Sequence, residues 1–337
     1  MPVIQVEDLR KVFYIPRKDP GVAGAVRALF RPRFEPKVAV DGITFHVEPG
    51  EMVGYIGVNG AGKSTTIKML TGVLQPSGGV ARVLGRDPHR QRVANAREIG
   101  VVFGQRTQLW WDLAFIESLN LVSKIYEVPP RRYRELLDRF AETLELGELL
   151  HVPIRNMSLG QKMRAELAAT LIHEPRVVYL DEPTIGLDLI VKEHIRDFIK
   201  EQNRTKGTTV ILTTHDLGDI EELCQRVIII DAGRLIYDGP LSTIKARFGK
   251  YREITFETPA RADGLHLPPG AEVTEQEARK FTLRFDRTLT TASQVAAAVM
   301  DQIDVLDFSL AEPDLAAIIK QIYNGALREA AAPEASA

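Results

Sequence analysis

The stretch with the clearest chemical capacity in this 337-residue chain runs from Gly57 to Ser64. It reads Gly-Val-Asn-Gly-Ala-Gly-Lys-Ser and fits the pattern G-x-x-x-x-G-K-[ST] at every defined position. Because glycine lacks a Cβ atom, successive backbone N–H groups can curl around phosphate oxygens. Lys63 offers a cation to the terminal phosphates, and Ser64 offers a hydroxyl to Mg²⁺. The stretch therefore predicts a site for a nucleoside triphosphate with Mg²⁺.

Two predicted elements would hold this loop in place. Residues 51–56 form a short apolar run that predicts a buried strand. Beyond the loop, Ile67 and Leu70 stand at helical spacing, so we expect a helix from Ser64 onward. A helix N-terminus has free N–H groups and a partial positive charge, which favour bound phosphate. The alternative, a glycine-rich turn with a chance lysine, leaves these flanks unexplained.

Two further strands are expected to end in polar side chains. The apolar run Val177 to Leu180 is followed by Asp181 and Glu182, which we expect to face Mg²⁺ and the water that attacks the γ-phosphate. The strand from 208 to 214 ends on His215, for which we expect a γ-phosphate contact. The alternatives are an acidic turn after a core strand and a structural histidine.

Two weaker signals accompany these strands. Gln105 follows the predicted strand Ile99–Phe103, at an end where such sheets bind ligands, although a surface glutamine would look the same. Ser158 is a plausible N-cap for a helix predicted from Lys162 to His173, which would make a second anion-binding helix start. Most Ser-x-Gly helix entries, however, only cap a helix.

The N-terminal region predicts strands around a basic loop. Residues 2–14 alternate like an edge strand, and a second strand is expected over 38–47. Residues 16–37 contain six Lys or Arg against two acids, which favours either a solvated loop or a contact with lipid headgroups or a partner. Phe13 or Tyr14 could stack on an adenine ring, or could face the core instead.

The composition limits the classes of partner. The formal net charge is −2 and the pI is about 6.4, so no basic field argues for nucleic acid. Cys224 is the only cysteine, so no internal disulfide can form. No apolar run approaches the ~18–20 residues of a membrane span. Any membrane role is therefore expected to depend on a partner.

Taken together, the order of these motifs resembles the ATP-binding cassette (ABC) ATPase family over about residues 3–245. The resemblance implies an α/β phosphate-loop fold: a mixed sheet core, an antiparallel β subdomain and a helical subdomain at about 106–172, within a domain spanning 1–245. It implies catalytic roles for Glu182 and His215, with Glu182 as the general base, Mg²⁺ contacts from Ser64, Gln105 and Asp181, and a dimer contact at Asp188. It implies ATP contacts from Phe13, Gly57, Asn59, Gly60, Ala61, Gly62, Lys63, Ser64, Thr65, Gln105, Ser158, Gly160 and Gln161.

The family signature departs from its usual form in this chain. It is usually Leu-Ser-Gly-Gly-Gln, whereas residues 157–161 read Met-Ser-Leu-Gly-Gln. Leu159 replaces a glycine, while Ser158 and Gly160 are kept. The resemblance further implies a head-to-tail dimer of two copies, in which each phosphate loop faces the signature of the other copy across an ATP.

Residues 101–113 look like those of ATPases that serve ABC-2-type exporters, the multidrug and daunorubicin-resistance group. This implies export of a small molecule through a separate ABC-2-type transmembrane permease, with the chain on the cytoplasmic side of the membrane. Trp110 and Trp111 would then face the permease or pack in the core. The alternative is a soluble ABC ATPase acting on DNA or ribosomes. Chromosome-maintenance types insert a long coiled coil, and translation types carry two cassettes; neither fits this chain.

The C-terminal part changes character. Alternating patterns predict strands at 251–256, 280–285 and 305–308 and helices at 291–301 and 314–323. We therefore expect a small α+β accessory domain over 246–330, similar to the C-terminal extension of such exporters' ATPases. It contains no visible catalytic set, so a regulatory or dimer-supporting role is the hypothesis. Residues 331–337 are expected to be disordered.

Overall fold

The computed structural model describes residues 1–17, 34–103, 107–248, 251–262 and 264–311, together with positions 315, 318 and 319. It divides into two compact units, Met1–Gly239 and Pro240–Ala337. Among the described residues, none of the helices combines the length and the apolar content needed to cross a bilayer. The predicted basic loop falls mostly outside the described residues, as do Gln105, the tail 331–337 and most of the predicted helix 314–323.

The first unit contains most of the regular structure. Its strands are β1 (Ile4–Pro16), β2 (Phe34–Val47), β3 (Met52–Gly57), β4 (Gly78–Val83), β5 (Ile99–Phe103), β6 (Val177–Asp181), β7 (Thr209–Thr213), β8 (Arg226–Asp231) and β9 (Arg234–Pro240). Its helices are α1 (Lys63–Leu70), α2 (Arg92–Ala96), α3 (Phe115–Ile125), α4 (Pro130–Thr143), α5 (Leu159–Leu171), α6 (Leu189–Lys206) and α7 (Leu217–Leu223).

A six-stranded sheet forms the centre of this unit, in the order β5-β6-β7-β3-β8-β9. The pairs β5–β6, β6–β7, β7–β3 and β3–β8 are parallel. Strands β6 and β7 are buried almost throughout, which is why each reads as a continuous apolar run rather than an alternating one. Parallel strands bring their carboxyl ends to one edge, so β3, β6 and β7 deliver their following residues to the same place.

A second, three-stranded antiparallel sheet has the order β2-β1-β4. The expectation that residues 2–14 form an edge strand is wrong, because Ile4 pairs with Val47 on one side and with Val83 on the other. The alternation of β1 arises from one buried face, at Ile4 and Val6, and not from an open edge.

The apolar spacing of residues 115–150 predicts helix that Pro129-Pro130 opens and Gly147 ends, and the structure has two helices there, α3 and α4. They are separated at Glu127, which adopts φ +57°, and Pro130 occupies the first turn of α4. The expected end of the helix at Gly147 is wrong, since α4 ends at Thr143 and Gly147 opens a short 3₁₀ turn. The signature helix α5 starts at Leu159, three residues before the predicted start.

The second unit contains α8 (Leu241–Phe248), α9 (Ala292–Met300) and the strands β10 (Tyr251–Glu257), β11 (Ala271–Gln276), β12 (Lys280–Asp286) and β13 (Asp307–Ala311). The strands form an antiparallel sheet in the order β11-β12-β10-β13. One face packs on α9, with Phe256, Phe285 and Val295 fully buried. Strand β11 was not predicted, because its residues are mostly polar and exposed.

Candidate functional site

The carboxyl ends of β3, β6 and β7 open into a cleft of about 590 Å³. Side chains predicted from separate parts of the sequence line this one cleft. They are Phe13, Asn59, Gly60, Gly62, Lys63, Ser64, Thr65, Asp181, Glu182 and His215, joined by Tyr14, Ile15, Pro16 and residues 37–39. The expected convergence of the phosphate loop with the ends of β6 and β7 is therefore present.

The phosphate loop runs from the end of β3 into the first turn of α1. Gly62 has φ +110°, and a Cβ atom there would lie 2.6 Å from the Ala39 carbonyl oxygen, so only glycine fits. The N–H of Thr66 donates to the Gly62 carbonyl at 2.9 Å, which starts the helical ladder immediately after the loop. Gly57, at the end of β3, leaves no room for a side chain either, because a Cβ would lie 2.8 Å from the Ile230 oxygen.

Lys63 is folded back into its own loop. Its side chain is 7% exposed, and Nζ donates to the carbonyl oxygens of Gly57 at 2.5 Å and Val58 at 3.3 Å. Burial lowers the pKa of the ammonium, although the charges of Glu182 and Asp181 oppose that effect. The cation thus stands at the loop's concave side, opposite the two carboxylates.

Asp181, the last residue of β6, connects three elements of the cleft. Its Oδ2 accepts from Ser64 Oγ at 3.3 Å, and its Oδ1 accepts from Thr213 Oγ1 at 2.5 Å. Thr213 lies directly opposite Asp181 in the β6–β7 register, so the parallel pairing itself places this hydroxyl. Two hard oxygens, the Ser64 hydroxyl and a carboxylate oxygen, therefore face the same space.

Glu182 lies beside His215, with Oε1 2.8 Å from Nε2. The Glu182 backbone has φ +56°, a left-handed conformation that is unusual for a residue with a side chain. Its N–H donates to the Thr213 carbonyl at 2.8 Å, which continues the β6–β7 ladder by one residue before the chain turns. The left-handed turn places the Glu182 side chain at the mouth of the cleft.

A buried carboxylate behind this turn escaped sequence reasoning. Asp219 on α7 is fully buried and accepts from Arg196 Nε at 2.7 Å, from Thr184 Oγ1 and from Thr214 Oγ1 at 3.3 Å. It thereby ties the segment after Glu182 to the segment before His215. No sequence signal identifies Asp219, since it sits among several acidic residues on a short helix.

Phe13 lies on the wall of the cleft and is 37% exposed, with Lys11 Nζ 5.3 Å from its ring centroid. The alternative that Phe13 faces the core is therefore wrong, because its ring is exposed to the cleft. Tyr14 also lines the cleft but is 69% exposed.

The signature lies apart from this cleft. Ser158 caps α5: its hydroxyl accepts from the Gln161 N–H at 3.2 Å, and Gln161 Oε1 accepts from the Ser158 N–H at 2.9 Å. Leu159, which replaces the usual glycine of the signature, is 50% exposed, so its side chain does not have to fit into the core. Neither Ser158, Gly160 nor Gln161 lines the cleft in this chain. Asp188 caps α6, with Oδ1 accepting from the Val191 N–H at 3.0 Å.

Residues 40–185 match the family described as ABC transporter. Over 303 residues the chain is 31% identical to the linearmycin resistance ATP-binding protein LnrL of Bacillus subtilis (strain 168), covering 87% of this chain and 96% of that protein. The chain belongs to the ABC transporter family. It is the ATP-binding and ATP-hydrolysing subunit of such a transporter.

Other relatives agree with this assignment. The daunorubicin resistance ATP-binding protein DrrA3 of Streptomyces coeruleorubidus is 36% identical over 64% of this chain and 68% of its own length. ABC transporter A family member 1 of Dictyostelium discoideum is 30% identical over 84% of this chain, which spans only 32% of that longer protein. A solved structure, an ATP-binding subunit of an ABC transporter, superposes with a TM-score of 0.61 at 27% identity, covering 73% of this chain and 93% of that one.

Proposed function

We propose that this ABC subunit binds ATP with Mg²⁺ in the cleft described above and uses Glu182 to hydrolyse it. The observation that best supports this proposal is that one cleft at the carboxyl edge of the sheet is lined by Lys63, Asp181, Glu182 and His215. Phosphate-loop N–H groups and Lys63 would hold the β- and γ-phosphates. To reach them, Lys63 Nζ would have to leave the Gly57 carbonyl. Phe13 would stack on the adenine ring at the far wall.

The residues present fit Mg²⁺. Ser64 Oγ and Asp181 Oδ2 are hard oxygen donors 3.3 Å apart, close to the separation of about 3 Å expected for neighbouring ligands of one octahedral Mg²⁺. In the described part of the chain no group of three His, Cys, Asp or Glu side chains forms a cation site. Two protein oxygens are enough for Mg²⁺, which takes few protein ligands and completes its shell with phosphate and water. When bound, it would neutralise charge on the β- and γ-phosphates.

Hydrolysis then requires a positioned base. Glu182 would accept a proton from a water as the water oxygen bonds to the γ-phosphorus and the bond to the β–γ bridging oxygen breaks, releasing ADP and phosphate. His215 Nε2 lies 2.8 Å from Glu182 and would orient this carboxylate, then donate to a γ-phosphate oxygen. Asp219 would hold both flanking segments in place through Thr184 and Thr214.

A second copy of the chain would complete the site. The N-terminus of α5, where Ser158 and Gln161 cap each other, does not line its own cleft, and its partial positive charge favours an anion. Placed head to tail, the Ser158–Gly160 turn of one copy would cover the γ-phosphate bound by the other. Asp188, exposed at the start of α6, would lie at that interface.

Export through a separate ABC-2-type permease is the transport process we propose. It is supported by the relatives named for daunorubicin and linearmycin resistance. Trp110 and Trp111 are 41% and 52% exposed, which exceeds what core packing allows and suits a docking surface for that permease. The subunit would then work at the cytoplasmic face of the membrane.

Co-expression with a candidate ABC-2-type membrane protein, chosen from the genes next to the one that encodes this chain, tests the transport role. Purification through a tag on the full-length chain should recover the membrane protein from detergent extracts, and Trp110→Ala with Trp111→Ala should lower that recovery. Asp112→Asn, which alters the same exposed loop without removing an aromatic ring, is the control. Full recovery with both tryptophans replaced would place the permease contact elsewhere.

A further inference from the structure

A second cavity, of about 370 Å³, lies in the first unit at the end of the sheet opposite the nucleotide cleft. It is lined by residues 174–176, immediately before β6, and by Thr208 and Thr209 at the start of β7. Because these strands are five residues long, about 16 Å of sheet separates it from Asp181 and Thr213. The cavity is therefore independent of the site assigned to ATP.

Its lining combines apolar and polar side chains. The apolar part is formed by Leu136 and Phe140 of α4, Leu171 at the end of α5, and Val3, all at least nine-tenths buried. A volume of this size falls within the range of small-molecule sites. Such a cavity would accept an apolar body of several carbon atoms.

One buried polar group on the lining lacks a partner. Gln202 on α6 is 7% exposed, and its Nε2 makes no hydrogen bond in the part of the chain that the structure describes. Leaving an amide donor buried and unpaired is unfavourable, because the group has lost its hydrogen bonds to water. A ligand with a carbonyl or carboxylate oxygen could accept a hydrogen bond from Gln202 Nε2.

The charged side chains that line the cavity suit a negatively charged ligand. Glu174 is held by Arg132 at 2.7 Å and Lys206 at 3.1 Å, and these cations keep the pKa of its carboxyl at about 2. Arg176 also lines the cavity and forms no side-chain pair with a described residue. The charged lining residues, Arg176 and Lys206 against Glu174, sum to one net positive charge.

We propose that this cavity binds a small amphipathic organic anion, with its carboxylate between Gln202 and Arg176 and its apolar body against Leu136, Phe140 and Leu171. Such a ligand would bridge α4 and α6. Those helices are otherwise joined by the Arg139–Glu201 pair at 2.9 Å and by the edge-to-face contact of Phe140 with Phe198. Occupancy would thus raise the thermal stability of the first unit.

Octanoate is the probe, with octan-1-ol as its uncharged counterpart, tested on the full-length protein by isothermal titration and thermal unfolding. Octanoate should bind saturably and raise the unfolding temperature, whereas octan-1-ol should bind at least ~10-fold more weakly. Arg176→Gln should weaken octanoate at least ~10-fold, and Arg92→Gln, an exposed arginine on α2, should leave it unchanged.

Gln202→Leu distinguishes a ligand site from a packing defect. It removes the unpaired donor, so the ligand-free variant should unfold at the same or a higher temperature than the wild type, while the octanoate-induced rise is lost. The proposal is overturned if octanoate shows no saturable binding. It is equally overturned if octan-1-ol binds as tightly as octanoate, or if Gln202→Leu and Arg176→Gln bind octanoate like the wild type.

Discussion

Glu182 Oε1 and His215 Nε2 lie 2.8 Å apart, although the two residues come from different strands of the sheet. Glu182 follows β6 and His215 follows β7, so their contact depends on the parallel register that pairs Asp181 with Thr213. The same register places Thr213 Oγ1 on Asp181. Any change that shifts β6 against β7 would disturb the proposed metal ligand and the proposed base together.

Lys63 gives ATP affinity a pH dependence of predictable sign. Burial lowers the pKa of its ammonium below the ordinary 10.5, whereas a bound triphosphate favours the protonated form. Affinity should therefore decline as the pH rises through that lowered pKa. Titration with a fluorescent ATP analogue between about pH 7 and pH 10 measures the decline. Lys63→Arg stays protonated throughout and should show a flat profile. Parallel profiles for the two proteins would contradict the role given to Lys63.

Asp219 should be critical for stability despite its distance from ATP. Asp219→Asn removes the negative charge that pairs with Arg196, whose guanidinium is largely buried. Losing this charge should lower the free energy of unfolding by about 3 kcal/mol. Glu222→Gln, which breaks the exposed pair with Lys200, is the matched control and should cost less than about 1 kcal/mol. Urea unfolding followed by tryptophan fluorescence reports on the first unit, which contains both tryptophans. Equal losses for the two variants would refute the buried network.

His173 should make the first unit less stable in mild acid. Its Nε2–H donates to the Ile99 carbonyl at 3.0 Å, its Nδ1 is buried with no partner among the described residues, and burial lowers the pKa of the ring. The unfolded chain therefore binds the proton more readily, so stability is full above pH 6.5 and falls as the pH drops below it.

His173→Gln keeps an N–H donor for Ile99 but does not titrate. Urea unfolding at about pH 7.5 and about pH 5.5 should show a smaller loss of stability for this variant than for the wild type. His151→Gln, at an exposed position, should leave the wild-type loss unchanged. If His173→Gln loses as much stability as the wild type, the buried ring is not the source.

The sequence predicts correctly those parts of the site that are specified by a short local pattern. The run Val177–Leu180 before Asp181, and the glycines around Lys63, each specify a strand end or a loop without reference to the rest of the chain. Pairing between distant segments is different. The alternation of β1 reports one buried face but cannot report that Val47 and Val83 flank it on both sides.

Buried polar partners were equally out of reach. Glu166 on α5 is buried, with burial raising its pKa, and accepts from Thr107 Oγ1 at 2.7 Å and the Gln108 N–H at 3.0 Å. On sequence alone it is one of several charged residues on an ordinary helix. Its contacts are about 58 residues away in the chain, so only the folded arrangement identifies it.

Sharing of each ATP site between two copies predicts complementation. In a mixed dimer of Lys63→Ala and Gly160→Asp chains, one shared site contains both lesions and the other contains neither, so ATPase activity should be recovered. A Cβ on Gly160 would lie 3.3 Å from Val191, so Gly160→Ala is the control that separates crowding from charge. Differently tagged chains allow the mixed dimer to be purified. A mixed dimer as inactive as either parent would contradict sharing, provided that a dimer of wild-type and doubly mutated chains is active.

Glu182→Gln tests the central claim most directly. The amide keeps the size of the side chain but cannot take the proton from water, so ATP binding per chain should be retained while hydrolysis falls at least ~10²-fold. Glu148→Gln, at an exposed position, controls for loss of a carboxylate and should hydrolyse like the wild type. Both quantities are measured on the same purified protein, as bound nucleotide and as released phosphate. Near-normal phosphate release by Glu182→Gln would contradict the account.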